Sequence, residues 1–552
     1  AKNTAVGTGA MYNNTTASDN TAIGVESLDA NSTGASNTAV GRSALGANTT
    51  AANNTAVGYQ SLLVNTTGPR NVALGAEALK ANTTAGYNVA IGAGSLKLNT
   101  TGAGNTALGD YSASANTTGT LITAIGSYAL GANTTGGSST AVGDESLRAN
   151  TTGANNTAVG RRSLKANTTA SDNTAIGYYA LVANTTGAQN TAVGKNALVA
   201  NTTAASNTAV GYICLSANTT GAANTAVGDS ALNQNTTGTT NTGIGYHALV
   251  NNTTASHNTA VGHTSQRGTS TGNNNSTLGH LSLYTNTTGA QNTAIGTSAL
   301  QYATTASNNT AVGYAALEVN TTGHSNVAVG YRALDTNTEA DDNTAVGFRA
   351  MEATTTGSSN AAVGKGALDS NTTGYENNAL GLNAGGGNTT GYRNTFIGKD
   401  AGDTTTTGHT NIIIGYNAQA TAVDVANEMT LGASNINNFR CNDTSISSLS
   451  DSRDKANIVD IPLGLTFLNT VRPVSFDWDR RDGSMAGRKD FGFIAQELKV
   501  AADATVYADH MRLVHYNNPD KLEADPMKMF PILVKAIQEL STKNDSLETS
   551  NT

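Results

Sequence analysis

Within Leu449-Ser450-Asp451-Ser452-Arg453-Asp454-Lys455 the chain places a serine hydroxyl five residues before a lysine amine. A serine attacks a carbonyl near neutral pH only when a base takes its proton. A lysine amine serves as that base only when desolvation depresses its pKa. Taken alone, the run reads equally as a solvated turn. Other reactive residues are sparser. His263 and His280 stand seventeen residues apart at one variable place of a repeat, where stacked imidazoles could collect a metal but read better as exposed histidines. Cys214 occupies a place that elsewhere holds Ala44, Ser61 or Ala129, so it reads as a small buried residue; Cys441 is far from it, and no disulfide holds the chain. A glycosidase needs two carboxylates about 5–10 Å apart, and acids are scattered without recurrence up to residue 440. We expect no cofactor and no metal.

What must position these groups is dominated by a repeat. Asn-Thr-Ala-Val-Gly begins at Asn3 and returns every seventeen residues; stepping from Gly7 reaches glycine through twenty-six registers to Gly432, without insertion or deletion. Loops tolerate length changes cheaply, so a strictly kept length marks stacked identical units. The consensus Asn-Thr-Ala-Val-Gly-x-x-Ala-Leu-x-Ala-Asn-Thr-Thr-Gly-x-x predicts two short strands, Thr-Ala-Val and Ala-Leu-x-Ala, with glycines supplying positive φ at two corners. Asn at the first and twelfth places should stack into amide ladders. The fold class expected is mainly β: a parallel β-solenoid or β-roll shaft, then a small α+β domain.

Composition agrees. Charged residues are 12% and aromatics 5% of the 552, with 60 glycines, which suits thin β-structure rather than a repelling disordered chain. A net charge of −8 without a basic stripe argues against nucleic acid. No apolar run reaches the roughly 18 residues a membrane span needs, so no membrane insertion is expected. Ala1 falls almost inside the first repeat, from which we expect a further N-terminal attachment region.

Each repeat offers about two large apolar residues, Val40 with Leu45 or Ile91 with Leu96, a thin core for seventeen ordered backbones. A second apolar contact would offset the deficit, so we expect self-association, most economically a parallel homotrimer. The residue after the repeat glycine varies freely (Tyr59, Tyr212, Tyr314, Arg42, Lys195, Asp144), as a solvent-facing column does. Exceptions are few: Ala113 and Gln266 replace the recurrent Leu, and from about residue 381 the pattern changes, with Gly385 and Gly402 in the Leu place. Charge rises from about 9% over residues 1–440 to about 27% over 441–552, where five of six prolines and Trp478 lie. The expected division is 1–432 shaft, 433–449 transition and distal tip, and 450–552 a separate domain.

That last domain reads Ser-Asp-x-Arg-x-Lys before Ile458, then a helix-like Ile461 to Leu468, a strand Pro473 to Trp478, and Phe491-Gly-Phe-Ile-Ala-Gln-Glu-Leu498. It resembles the C-terminal intramolecular chaperone of bacteriophage tailspikes, endosialidases and tail fibres, also found in a self-cleaving membrane-bound transcription factor. The resemblance implies trimerisation, templating of an upstream β-rich fibre, and release by a Ser–Lys dyad: Ser450 as nucleophile, Lys455 as base, Leu449–Ser450 as the bond cut. Any enzymatic activity is then a single-turnover self-cleavage with no external substrate. The Asn-x-Ala-[Val/Ile]-Gly element resembles the head repeat of trimeric autotransporter adhesins, which implies a trimeric roll. At the C-terminus, Phe530, Leu533, Ile537, Leu540, Asn544 and Leu547 keep three-four spacing, an a/d seam with one polar place, so a coiled-coil helix is expected over about 526–549.

The functional expectation is a virion tail fibre or spike, extracellular, a structural component for host attachment. Its partners are two further copies, a host surface receptor of glycan or protein nature, and a baseplate or other fibre subunits. After cleavage, residues 399–449, with Ile412 to Ile414, Phe439 and Cys441, become the distal end. A cell-surface trimeric adhesin without self-cleavage is the alternative.

Overall fold

The structure, a computed structural model, describes residues 2–436, 440, 450–480, 486–516, 520 and 522–550. It divides into two compact units, Ala1–Asn343 and Thr344–Thr552. Leu449, Phe439 and Cys441 lie outside the described residues.

In the first unit twenty three-residue strands run from β1 (Thr4–Val6) to β20 (Val327–Val329). Each pairs in parallel with the next, one residue against its counterpart seventeen on, as in Thr38↔Thr55, Ala39↔Ala56 and Val40↔Val57. This is a β-solenoid. Only one of the two expected strands forms. Ala-Leu-x-Ala is instead a chain of turns in which Ser43 and Leu45 adopt left-handed backbone, φ 57° and 52°. Alternating left-handed residues bend the rung back on itself, yet the ladder survives: Ser43 N–H donates to Val25 O on one neighbouring rung and Leu45 N–H to Ser61 O on the other. The repeat glycine does take positive φ, Gly177 at 137°. The second glycine does not, and Ala17, Ala51 and Ala85 fill its place in other repeats.

The interior also differs from expectation. Ala39, Ala44 and Leu45 are fully buried, but Val40 faces outward. A period-two strand points Ala39 and Val40 to opposite sides, and closure of the rung turns the alanine inward. One large aliphatic side chain per turn therefore fills the core. Asparagine supplies the rest. Asn48 Nδ2 donates to Asn31 Oδ1 (2.8 Å) and to Ala51 O (3.0 Å); Asn37 N–H donates to Asn20 Oδ1 (2.8 Å), and its Nδ2 to Ala51 O (2.9 Å). The twelfth place is thus a side-chain ladder, whereas the first bonds side chain to backbone.

Breaks in the ladder leave traces. Each twelfth-place Oδ1 accepts from the asparagine one repeat later, so Asn252 and Asn286, followed by Thr269 and Ala303, keep buried Oδ1 atoms without a partner. Ala303→Asn restores donors to Asn286 Oδ1 and an acceptor to Asn320 Nδ2. We expect about 1–2 kcal/mol of stabilisation, read as a raised thermal midpoint; an unchanged or lowered midpoint refutes the ladder account. Gln266 is fully buried in the Leu place, with Oε1 and Nε2 both unpartnered. An unpaired buried amide costs about 1–3 kcal/mol, so Gln266→Leu should stabilise by a comparable amount in the same measurement. Cys214 is buried as expected: its Sγ lies 2.8 Å from Gly228 O, and burial pushes the thiol up to about 12, which keeps it protonated and unreactive.

The second unit opens with six more such strands, β21 (Thr344–Val346) to β26 (Met429–Leu431). Here the late exceptions find their reason. Phe396 stands in the inward Ala place, fully buried, and a Cβ on Gly385 or Gly402 would lie 2.5 or 2.2 Å from its ring. Bulk has moved from one place of the rung to another. Ile413 likewise fills an inward Ala place and is fully buried, so of the expected distal triplet only Ile412 and Ile414 face outward.

The C-terminal elements follow: α1 (Leu465–Leu468), an antiparallel pair of β27 (Val474–Asp477) and β28 (Lys489–Gly492), α2 (Ala495–Asp503), α3 (Ala508–Met511), a second antiparallel pair of β29 (Val514–His515) and β30 (Glu523–Ala524), and α4 (Phe530–Ser550). The expected helix from Ile461 shrinks to α1, because Pro462 disfavours helix at the residue before it and Gly464 is non-helical, φ −142° and ψ −129°. Phe467, Leu498, Met511, Leu513, Val514, Met529 and Ile532 form the core.

Candidate functional site

The Ser450 to Lys455 run forms one short 3-10 turn, Ser452–Asp454. Asp451 caps it: its Oδ1 accepts from Arg453 N–H (2.9 Å), and its carboxylate takes the Arg453 guanidinium through Nη2 (2.6 Å) and Nε (3.1 Å). The guanidinium first, and the backbone N–H second, hold Asp451 below the usual carboxylate range. With Asp451 and Arg453 occupied by each other, the turn swings Lys455 back over its start. Lys455 Nζ lies 2.5 Å from Ser450 Oγ and 3.4 Å from Ser450 O. The amine and the hydroxyl are thus within hydrogen-bond distance of each other, with the Ser450 carbonyl oxygen beside them. Ser450 and Lys455 are both exposed in the single chain.

Several contacts that support the domain were not legible in sequence. Arg472 forks onto the Glu497 carboxylate, Nε to Oε2 at 3.0 Å, tying the segment after α1 to α2; the guanidinium holds Glu497 below its ordinary range. Glu539 of α4 accepts Leu465 N–H at the start of α1 (2.8 Å). A groove of about 990 Å³ between α1 and α2 is lined by Leu463, Phe467, Val500 and Ala501 among others; neither Ser450 nor Lys455 lines it.

α4 has two apolar faces. Ile532 and Ala536 are buried on their own domain, a face the heptad spacing did not single out. The stripe that it did single out is turned to solvent: Phe530, Leu533, Ile537 (64% exposed), Leu540 and Leu547, with Asn544 exposed beside them.

In the repeats the variable column is exposed as expected, and rings in successive repeats lie against one another, some stacked and some tilted. Tyr314 and Tyr331 lie 5.3 Å apart at 12°, and His263 and His280 5.2 Å apart at 39°. No cluster of three or more His, Cys, Asp or Glu suited to a metal occurs among the described residues. No described helix is long and apolar enough to cross a membrane.

Residues 450–507 match the family described as chaperone of endosialidase, and the matched segment begins at Ser450. No curated protein matches the chain. A parallel β-solenoid of seventeen-residue repeats followed by such a segment fits a tailspike or tail fibre with a C-terminal chaperone.

Proposed function

We propose that this chain is the shaft of a trimeric viral tail fibre or spike that serves host attachment, and that residues 450–552 drive trimerisation and folding before cutting themselves off at Leu449–Ser450. The observation that carries this reading is the match beginning at Ser450, downstream of a solenoid, with Lys455 Nζ 2.5 Å from the Ser450 hydroxyl. Lys455 Nζ takes the Oγ proton as Oγ attacks the Leu449 carbonyl carbon. The carbon–nitrogen bond to Ser450 breaks, and the proton passes to the released α-amine. Water then hydrolyses the ester, leaving a carboxylate on Leu449 and restoring the serine hydroxyl. Removing water from an exposed pair is the task of the neighbouring chains, which ties cleavage to assembly.

The solvent-facing stripe of α4 supports the trimer, since an apolar a/d seam on an exposed helix face needs like helices against it. Burying an aliphatic side chain gives about 1.5–3 kcal/mol, so Ile537→Asp with Leu540→Asp, present while the chain folds, should lower the yield of sedimenting trimer at least tenfold without unfolding the domain. A trimer yield unchanged by both substitutions refutes the helix seam. Residues 399–449 are the proposed distal end, and the receptor contacts belong there.

A further inference from the structure

The outward side of the strands carries a column unlike any other on the repeat. At the fourth place all twenty-six registers hold Val, Ile or Leu, from Val6 to Leu431. These side chains point away from the core: Ile176 is 41% and Leu278 51% exposed, whereas the preceding Ala175 and Thr277 are buried. The other fourth-place side chains are exposed or half-exposed; two residues on, the sixth place, also outward and the more exposed, takes Arg42, Tyr59, Asp144, Lys195 or His263. Water imposes no aliphatic requirement, and the sixth place shows what the repeat does when only water is present. The second place, on the same face as the fourth, is Thr, Val or Ser in all twenty strands of the first unit, never charged. The first unit therefore exposes an uninterrupted Thr and aliphatic strip, far longer than the isolated apolar side chains of an ordinary surface.

We propose that this strip, from Thr4 and Val6 to Val327 and Val329, is the seam along which shafts of this same chain pack, parallel and in register. The occupant follows from the period. Whatever covers a column that recurs on every rung, about 4.8 Å apart, must recur with the same rise. A globular partner has no such period; a second copy of this chain has it throughout. Packing there leaves the charged and aromatic sixth-place column outward. The inference rests on the trimeric reading above and assigns it a surface.

The test uses the full chain with Cys441→Ser, leaving the buried Cys214 in place, and adds either Ile176→Cys on the strip or Tyr178→Cys on the variable column, places similarly exposed in the single chain. Sedimentation gives the oligomeric state, far-UV circular dichroism reports folding, and maleimide labelling gives the accessibility of each new thiol. The seam predicts a folded trimer in which Ile176→Cys labels at least tenfold more slowly than Tyr178→Cys. A trimer in which both label equally overturns the seam and leaves the trimeric reading standing. A folded monomer overturns both.

Discussion

Intact mass of the purified wild-type chain is expected to show a fragment ending at Leu449, while Ser450→Ala and Lys455→Ala each yield only the full 552 residues. Loss of the hydroxyl removes the attacking atom, and loss of the amine removes the base that lies 2.5 Å from it. General-base assistance contributes about a hundredfold or more, so residual cleavage in Lys455→Ala should be at least that much slower. Lys455→Arg should fail as well, because a guanidinium stays protonated. Since both groups are exposed in the single chain, cleavage should also fall in the Ile537→Asp and Leu540→Asp variant. Full-length mass in wild type and variants alike removes the autoproteolysis claim. Cleavage that persists in monomers of the Ile537→Asp and Leu540→Asp variant removes only its dependence on assembly.

Phe396→Ala should destabilise the second unit by about 3–5 kcal/mol, the cost of a large cavity where an aromatic ring was fully enclosed. The cost should be near the upper end, because the flanking Gly385 and Gly402 have no side chain with which to fill the void. Adding Gly385→Leu returns that repeat to its consensus. Leucine is compatible with the backbone there: Gly385 has φ 61°, and Leu368 in the preceding repeat has φ 51°. The double substitution should therefore recover part of the loss, although Gly385→Leu alone collides with the ring at 2.5 Å and destabilises. Thermal unfolding of the three variants checks the coupling. Additive losses would show that Phe396 and Gly385 do not share one space.

The solenoid was legible in the chain because its evidence is arithmetic. A glycine and two asparagines returning every seventeen residues force like to stack on like, and an amide column bonded along an axis has little else it can form. Spacing alone left the Ser450 to Lys455 run equally a solvated turn; the dyad roles came from the resemblance, and the fold adds that the two side chains lie 2.5 Å apart. What spacing does not carry is the choice of side. Thr-Ala-Val alternates, but alternation is silent on whether alanine or valine faces inward when either could be covered; closure of the rung decided for alanine. Leu45 in a left-handed turn contradicts the strand its pattern implied, since the demand to bend outweighed local preference. Phe396 became intelligible only once it was seen between two glycines, one eleven residues before it and one six after. On α4 the heptad marked one apolar face, and only the fold showed that Ile532 and Ala536 occupy the other against the domain's own core. Repetition and local spacing determined what stacks and which polar groups fall close together; tertiary packing decided what is inside, because burial belongs to the closed rung and the assembled domain rather than to any one residue.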